Sequence, residues 1–419
     1  MQSREEGSDT AMSGSNAAAA LLFRRKGDGS TLNLDFTGGS LDSRVVLTRS
    51  ANTATYINSS GYVTTAVANE ARFDYDPTTL AAKGLLIEGS AINLAYHSEN
   101  LSNAVWTVDN SGATSPVVTS VSATNPGNGA TVYQVVLNKT GGTFSRVQQI
   151  GVTGTTSSTY TFSVWMRTVT GTKNVGLRLG SSTGIGCVVT TTWTRFTHTY
   201  TLGDTSAAPQ IMLWDNIPAN DETATIYVWG VQVELGASPS SYIPTTTAQV
   251  TRNPDLALMT STNFSSWFTG ETTGTFFVDW HGGVRGITST VRSVISTSDQ
   301  TTKHLHLQQA SAAGVLKVAD FGAAHSVSTA NSITSGARTK GAFSFVGSTT
   351  TVNLCLNGGT VATSSAIAFS VAPTWLVLGA TSTDGSTLTD LTTVLNGSIR
   401  QIKYYPTALT SAQLIAMST

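Results

Sequence analysis

Carboxylates are the first place to look for chemistry in this chain, because cleaving a glycosidic bond with retention needs two of them about 5 Å apart. Asp74 and Asp76, in the stretch RFDYDP, have the alternate spacing that puts two side chains on one face of a strand. Pro77 follows them directly, so a turn or interface role is the preferred reading. Glu271 and Asp279 are separated by a Thr- and Gly-containing turn, and Asp384 and Asp390 fall in a loop. There is no Gly-x-Ser-x-Gly elbow, no phosphate-binding Gly-Lys loop and no cysteine pair at zinc spacing. These residues predict a protein that is not an enzyme.

Binding chemistry has better candidates. His304 and His306 lie on a strand-like run, where alternate spacing puts both rings on one side and a three-fold axis would gather them around a metal. Lys303 adjoins the pair, and a solvated strand face is the preferred alternative. Calcium would need clustered loop oxygens, for which Asp384 and Asn396 are the candidates; nothing else supports it, and no cofactor is expected. For a glycan, pyranose faces stack on aromatic rings while planar side chains take the hydroxyls. The residues that suit this are Trp165 with Arg167 and Arg178 on outward strand faces, and Trp106 and Trp214 near strand ends. Simple packing is the competing reading for each of them.

The elements that must position these residues are strands. Only 11% of the 419 residues are charged, while short runs rich in Val, Ile, Phe, Tyr and Trp alternate with Gly, Asn and Ser turns. Length predicts two bodies and an arm, all-β, built as two antiparallel sandwiches. A net charge of -1 with scattered Lys and Arg removes the basis for nucleic-acid binding. Cys187 and Cys355 fall in different bodies, which excludes a disulfide framework. Ala17 to Phe23 is far too short to span a bilayer, and basic residues follow it where a signal peptide has them first. No membrane insertion and no secretory leader are therefore expected.

Residues 1–83 read as an extended N-terminal arm, with Ala17 to Phe23 as a short docking helix or a frayed end. Within the arm Leu32, Leu34 and Phe36 alternate, and ATYINSSGYVTTA reads as a hairpin turning at Ser59 to Gly61. Such strands are too few for a core and are expected to pair with a neighbour, another subunit or a receiving particle. Residues 84–245 read as the first sandwich, with GLLIE as its first core strand. Tyr160, Phe162, Val164 and Met166 form one inward row, and Val175, Leu177 and Leu179 another. Tyr227, Trp229, Val231, Val233 and Leu235 read as a third, continuous apolar row. Residues 246–262 read as a linker, Pro239, Pro244 and Pro254 marking the boundary, and residues 263–419 as the second sandwich. Asn357 and Gly358 predict a tight hairpin, and Thr410 with Gln413 predicts a capped helix from Ser411 to about Met417.

The motifs RFDYDP, GLLIE, SEN, WGVQVELG, SYIPT and VTR, in that order over most of residues 32–255, resemble those of a family of phage and prophage virion proteins. LVLGA, LNGSIRQIKYY and ALTSAQL, in the last 160 or so residues, resemble laminin-G or concanavalin A-like lectin domains. The resemblance implies a carbohydrate-binding-module-like jelly roll followed by a lectin-like sandwich, in a tail fibre or other appendage of a bacteriophage. It implies a structural and receptor-binding role in the virion, assembled in the host cytoplasm. Its implied partners are other virion proteins through residues 1–83, a host-surface polysaccharide, and further copies of the chain as a homotrimer. The alternatives are a purely structural head-fibre or decoration protein with no glycan site, and a polysaccharide-degrading tailspike.

Overall fold

A computed structural model describes residues 28–419 apart from 51–52, 270–271, 283–290, 299–302, 310–314, 320–325, 335, 368–372, 383–387 and 389–392. The Ala17 to Phe23 segment, Glu271, Asp384 and Asp390 therefore lie outside the described residues, as does the side chain of His304. The described chain is all-β, two antiparallel sandwiches with a short C-terminal helix at Ser411–Ser418.

The jelly roll is two five-stranded sheets. One runs Thr194–Thr201, Thr159–Thr168, Thr223–Leu235, Thr131–Asn138, Thr114–Ser122; the other runs Ile185–Val189, Lys173–Leu179, Pro209–Trp214, Phe144–Gln149, Trp106–Ser111. The expected inward rows from Tyr160 to Met166 and from Val175 to Leu179 meet between the sheets in one core. The third row is broken. Gly230 has φ +66°, and the pairing with Thr159–Thr168 shifts register between Ser163 and Trp165. That bulge reverses the side-chain alternation. Ile226 and Val228 point inward before it and Val231 and Val233 after it, while Trp229 joins an outer cluster and Leu235 is exposed.

The second sandwich packs an eight-stranded sheet on a seven-stranded one, and here the division of the chain differs from expectation. Leu32–Asp35 and Ala82–Ile87 pair with Gly397–Tyr405 in the eight-stranded sheet, and Phe73–Tyr75 continues its edge. Val46–Thr48 pairs with Leu256–Thr260, a strand of the seven-stranded sheet that falls in the expected linker. Leu32, Leu34, Phe36, Leu47, Leu85 and Ile87 share one core with Trp280, Leu376 and Tyr404. The strands expected to dock on another body are thus internal to this one, and GLLIE belongs to the second sandwich. Alternation identifies which face of a strand is buried but carries no information about a partner hundreds of residues away.

The jelly roll is inserted between the two segments of its neighbour. The chain leaves the second sandwich after Ile87 and returns at Val250–Arg252, which pairs with Ala91–Asn93 and so closes the neck between the bodies. The Thr410/Gln413 capping box forms at the C-terminal helix, and Asn357 and Gly358 both take positive φ at their hairpin. The arm's hairpin forms as well, Ala54–Ile57 against Val63–Ala66 with Gly61 at φ +83°.

Candidate functional site

Two of the sequence candidates meet on the outer face of the jelly-roll sheet that contains Lys173–Leu179. Leu177 and Leu179 point into the core, so Arg178 between them points out. Cross-strand register then sets Gln148, Gln210 and Arg178 in one row, Asp109, Arg146 and Met212 in the next, and Ser111, Phe144 and Trp214 in a third. The Arg178 guanidinium lies over the Trp214 ring at 4.8 Å, and that of Arg146 over Phe144 at 4.7 Å. Gln210 Oε1 accepts from Arg146 Nη1 at 3.0 Å and from Arg178 Nη1 at 3.5 Å, while its amide donates to Gly180 O at 3.1 Å.

Charge on this face is unevenly neutralised. Arg146 is paired with Asp109, its Nε at 3.1 Å and Nη2 at 2.5 Å from Oδ2. Arg178 gives its Nε to Ser182 O at 2.7 Å and has no carboxylate partner among the described residues. Burial, then the charge of Arg146, lowers the Arg178 pKa from its usual value. A half-buried cation braced against an indole, beside a glutamine, offers planar donors next to a ring face, which is what a sugar's hydroxyls and pyranose face require. Arg146, Gln210 and Phe144 were not singled out from sequence. Their alternation with Ser145, Val147 and Ile211 marks them as outward, but only the register places them beside Arg178.

The other candidates are elsewhere. Trp106 is buried in the jelly-roll core and donates from Nε1 to His97 O at 3.2 Å. Trp165 lies on the outer face of the opposite sheet, as alternation predicts, but it is covered. It packs edge-on to Trp229 at 5.3 Å and Tyr242 at 5.4 Å, with the Arg195 guanidinium 4.4 Å from its ring centroid. Arg167, on the same face, lies over Tyr227 at 4.7 Å and Trp193 at 5.4 Å.

Of the metal candidates, His306 and Asn396 have described side chains. His306 is 5% exposed on a strand flanked on both sides, so the solvated face expected there is in fact buried. Asn396 is committed to the joint between bodies: its Oδ1 accepts from Gly89 N at 2.8 Å and its Nδ2 donates to Val394 O at 3.1 Å. Among the described residues no three His, Cys, Asp or Glu side chains gather. Cys187 and Cys355 are both buried free thiols.

Arg72 of RFDYDP, Glu88 of GLLIE and Arg252 of VTR build a buried junction with Arg49 and Asp255. Glu88 Oε2 accepts from Arg72 at 2.7 Å, from Arg252 at 2.8 Å and from Ser241 Oγ at 2.6 Å. Asp255 accepts from Arg49 at 2.9 Å and also from Arg72. Burial opposes ionisation of Glu88, yet the guanidinium groups of Arg252 and Arg72 and the bonds from Ser241 outweigh it and hold the carboxyl well below its usual range. Asp76 turns the chain, accepting from Thr78 N at 3.0 Å and Thr79 N at 2.8 Å. Asp74 accepts from Ile57 N at 2.9 Å, and burial pushes its pKa up to about 6 against the pull of Lys83, whose Nζ is 3.9 Å away.

No family model matches the chain, and no curated protein matches it. Solved structures that resemble it in part include the Ruminococcus gnavus IT-sialidase CBM40 bound to alpha2,3 sialyllactose, at 19% identity over 36% of this chain and 83% of that one, TM-score 0.31. The CBM22-1 xylan-binding domain from Paenibacillus barcinonensis Xyn10C is 14% identical, over 36% of this chain and 99% of that one, TM-score 0.27. The enzymatically active domain of bacteriophage CBA120 tailspike protein 4 is 13% identical, over 34% of this chain and 21% of that one, TM-score 0.26. Likenesses at this level identify no function for the chain.

Proposed function

We propose that the chain is a structural and adhesive component of a phage virion, a tail fibre or similar appendage, that holds a host-surface polysaccharide without cleaving it. The observation that carries the binding part is the Arg178 and Trp214 pair on an outward sheet face, joined to Arg146 through Gln210. Binding rather than cleavage is favoured because Asp74 and Asp76 are engaged by backbone amides at a joint and a turn. The virion location rests on the resemblance of the motifs from RFDYDP to VTR alone. Assembly as a homotrimer with other virion proteins leaves Leu32–Asp35 and Ala82–Ile87 paired within the chain. A chromatographic mass equal to one chain would count against the trimer.

A glycan array of host surface polysaccharides tests the adhesive role. Trp214→Ala is expected to weaken a hit by about 10-fold or more, the loss of one stacking contact and one braced cation. Silence of the native protein across the array would favour the purely structural reading. Release of oligosaccharides from host capsule would instead support a tailspike. Trp165→Ala is unsuitable as a probe, because it opens a hole in a packed cluster and costs about 3–5 kcal/mol of stability whatever the ligand.

A further inference from the structure

A groove of about 1030 Å³ lies between the two bodies, walled by the Ala54–Ile57 and Val63–Ala66 hairpin, by the jelly roll's other sheet, and by His281 and Ser398 of the second sandwich. That volume is at the upper end for small-ligand sites, about 300–1,000 Å³. Its jelly-roll wall has a regular arrangement. Arg195, Trp165 and Trp229 are direct cross-strand neighbours, and Arg167 and Tyr227 are neighbours in the adjacent row, with Trp193 just beyond the strand end. Each arginine lies over a tryptophan from the neighbouring chain segment, Arg195 on Trp165 at 4.4 Å and Arg167 on Trp193 at 5.4 Å. Trp193 is half-exposed and is fixed in place by its Nε1 donating to Thr124 O at 3.0 Å.

The charges that face this space do not cancel. Lys83 is offset by Asp74 and Asp76, at 3.9 and 4.0 Å, and Glu88 is enclosed by Arg72 and Arg252. His281 is shifted towards its neutral form, chiefly by burial. Arg195 donates to neutral oxygens, Ser240 O at 2.8 Å and Ser163 Oγ at 2.9 Å, and lies in the field of the Glu234 and Glu88 carboxylates, which leaves Arg167 as the cation without a counter-charge among the described residues. Arg167 has one long bond, 3.4 Å to Thr168 O, no carboxylate partner among the described residues, and a buried Nε with no hydrogen-bond partner. A guanidinium held flat by two rings, charged and short of acceptors, at the mouth of a large groove, is a site for an anion that arrives beside a ring face.

We propose that this groove is a second saccharide site, separate from the Arg178 face, that takes a short acidic oligosaccharide with a carboxylate on Arg167 and a pyranose face on Trp193. The site exists because the jelly roll is inserted into its neighbour: one wall comes from each body and the hairpin closes the third side.

The test is titration calorimetry of the intact protein with tetragalacturonate, using its methyl ester as a ring-matched neutral control. The acid is expected to bind at least about 10-fold more tightly than the ester. Arg167→Gln should abolish that preference, and Trp193→Ala should weaken both ligands. Every titration is run in the Arg178→Gln background, which removes the other proposed saccharide site, so the heat reports this groove alone and failure of the two sites is separable. Equal binding of acid and ester, acid binding that survives Arg167→Gln, or no heat at millimolar ligand would each overturn the proposal. Thermal melts of the variants show whether each is folded, and inorganic phosphate binding as tightly as the acid would reduce the site to a general anion site and overturn the saccharide reading.

Discussion

At the scale of single residues, Asp74 and Asp76 hold backbone amides at a joint and a turn, and the titration of Asp74 should report its place. Asp74 has a folded-state pKa of about 6, above the 3.8 of a free side chain. Between those values the folded state binds more protons than the unfolded one, so stability falls as pH rises from about 4 to 6. Asp74→Asn keeps an acceptor for Ile57 N and removes the ionisation. Its melting temperature should lack the decline that the native protein shows across that window; an unchanged profile would show that Asp74 is not the group. Glu88 has the opposite sign. Its folded pKa is depressed, so its contribution is complete above the unfolded value near 4.5 and is lost only as pH falls well below it. Glu88→Gln leaves three buried arginines facing one aspartate, and urea unfolding should show a loss of about 3–5 kcal/mol.

At the scale of elements, the bulge at Gly230 decides what the longest strand presents. Thr223–Leu235 would otherwise bury one uninterrupted apolar row, and Trp229 would compete for the core instead of covering Trp165. A side chain at position 230 is opposed twice: the backbone is left-handed, worth about 1–2 kcal/mol, and a Cβ there would sit 2.9 Å from the Trp165 ring. Gly230→Ala should therefore lower the thermal midpoint and change the tryptophan fluorescence of the native state. A variant with native midpoint and spectrum would mean the bulge tolerates a side chain. Much of the element level was readable beforehand. The Tyr160 to Met166 row, the hairpin at Gly61, the Asn357 and Gly358 turn and the Thr410 cap all form as local chemistry dictates. The bulge was not readable, because a glycine inside an apolar run has the same letter whether it extends a strand or kinks it.

At the scale of the whole molecule, the nesting of one sandwich inside the other gives the chain its joint and its groove. It also predicts how the chain divides. Residues 256–419 alone lack Leu32–Asp35, Val46–Thr48 and Ala82–Ile87, strands that complete both of their sheets and supply Leu32, Leu34, Leu47, Leu85 and Ile87 to the core. That fragment should be unfolded or aggregated. Residues 90–250 contain both five-stranded sheets and the whole of their core, and should fold alone. Amide spectra of the two pieces check this, and a dispersed spectrum from 256–419 would refute the nesting as a requirement for folding.

Local pattern was enough for the class of fold, the faces of most strands, the turns and the C-terminal cap, because each of these depends on residues a few positions apart. It was also enough to select Arg178 as outward-facing and Trp214 as a residue near a strand end. Tertiary structure alone decided that the supposed arm is part of the second sandwich, since Leu32 pairs with Tyr404 and no local signal reaches that far. It alone decided which candidates act together: register brought Arg178 to Gln210 and Trp214, and packing withdrew Trp106 and Trp165 into clusters. Solvent access is a property of what comes to lie on a face, and the residues that cover Trp165 are 30 to 77 positions away in the chain, at Arg195, Trp229 and Tyr242.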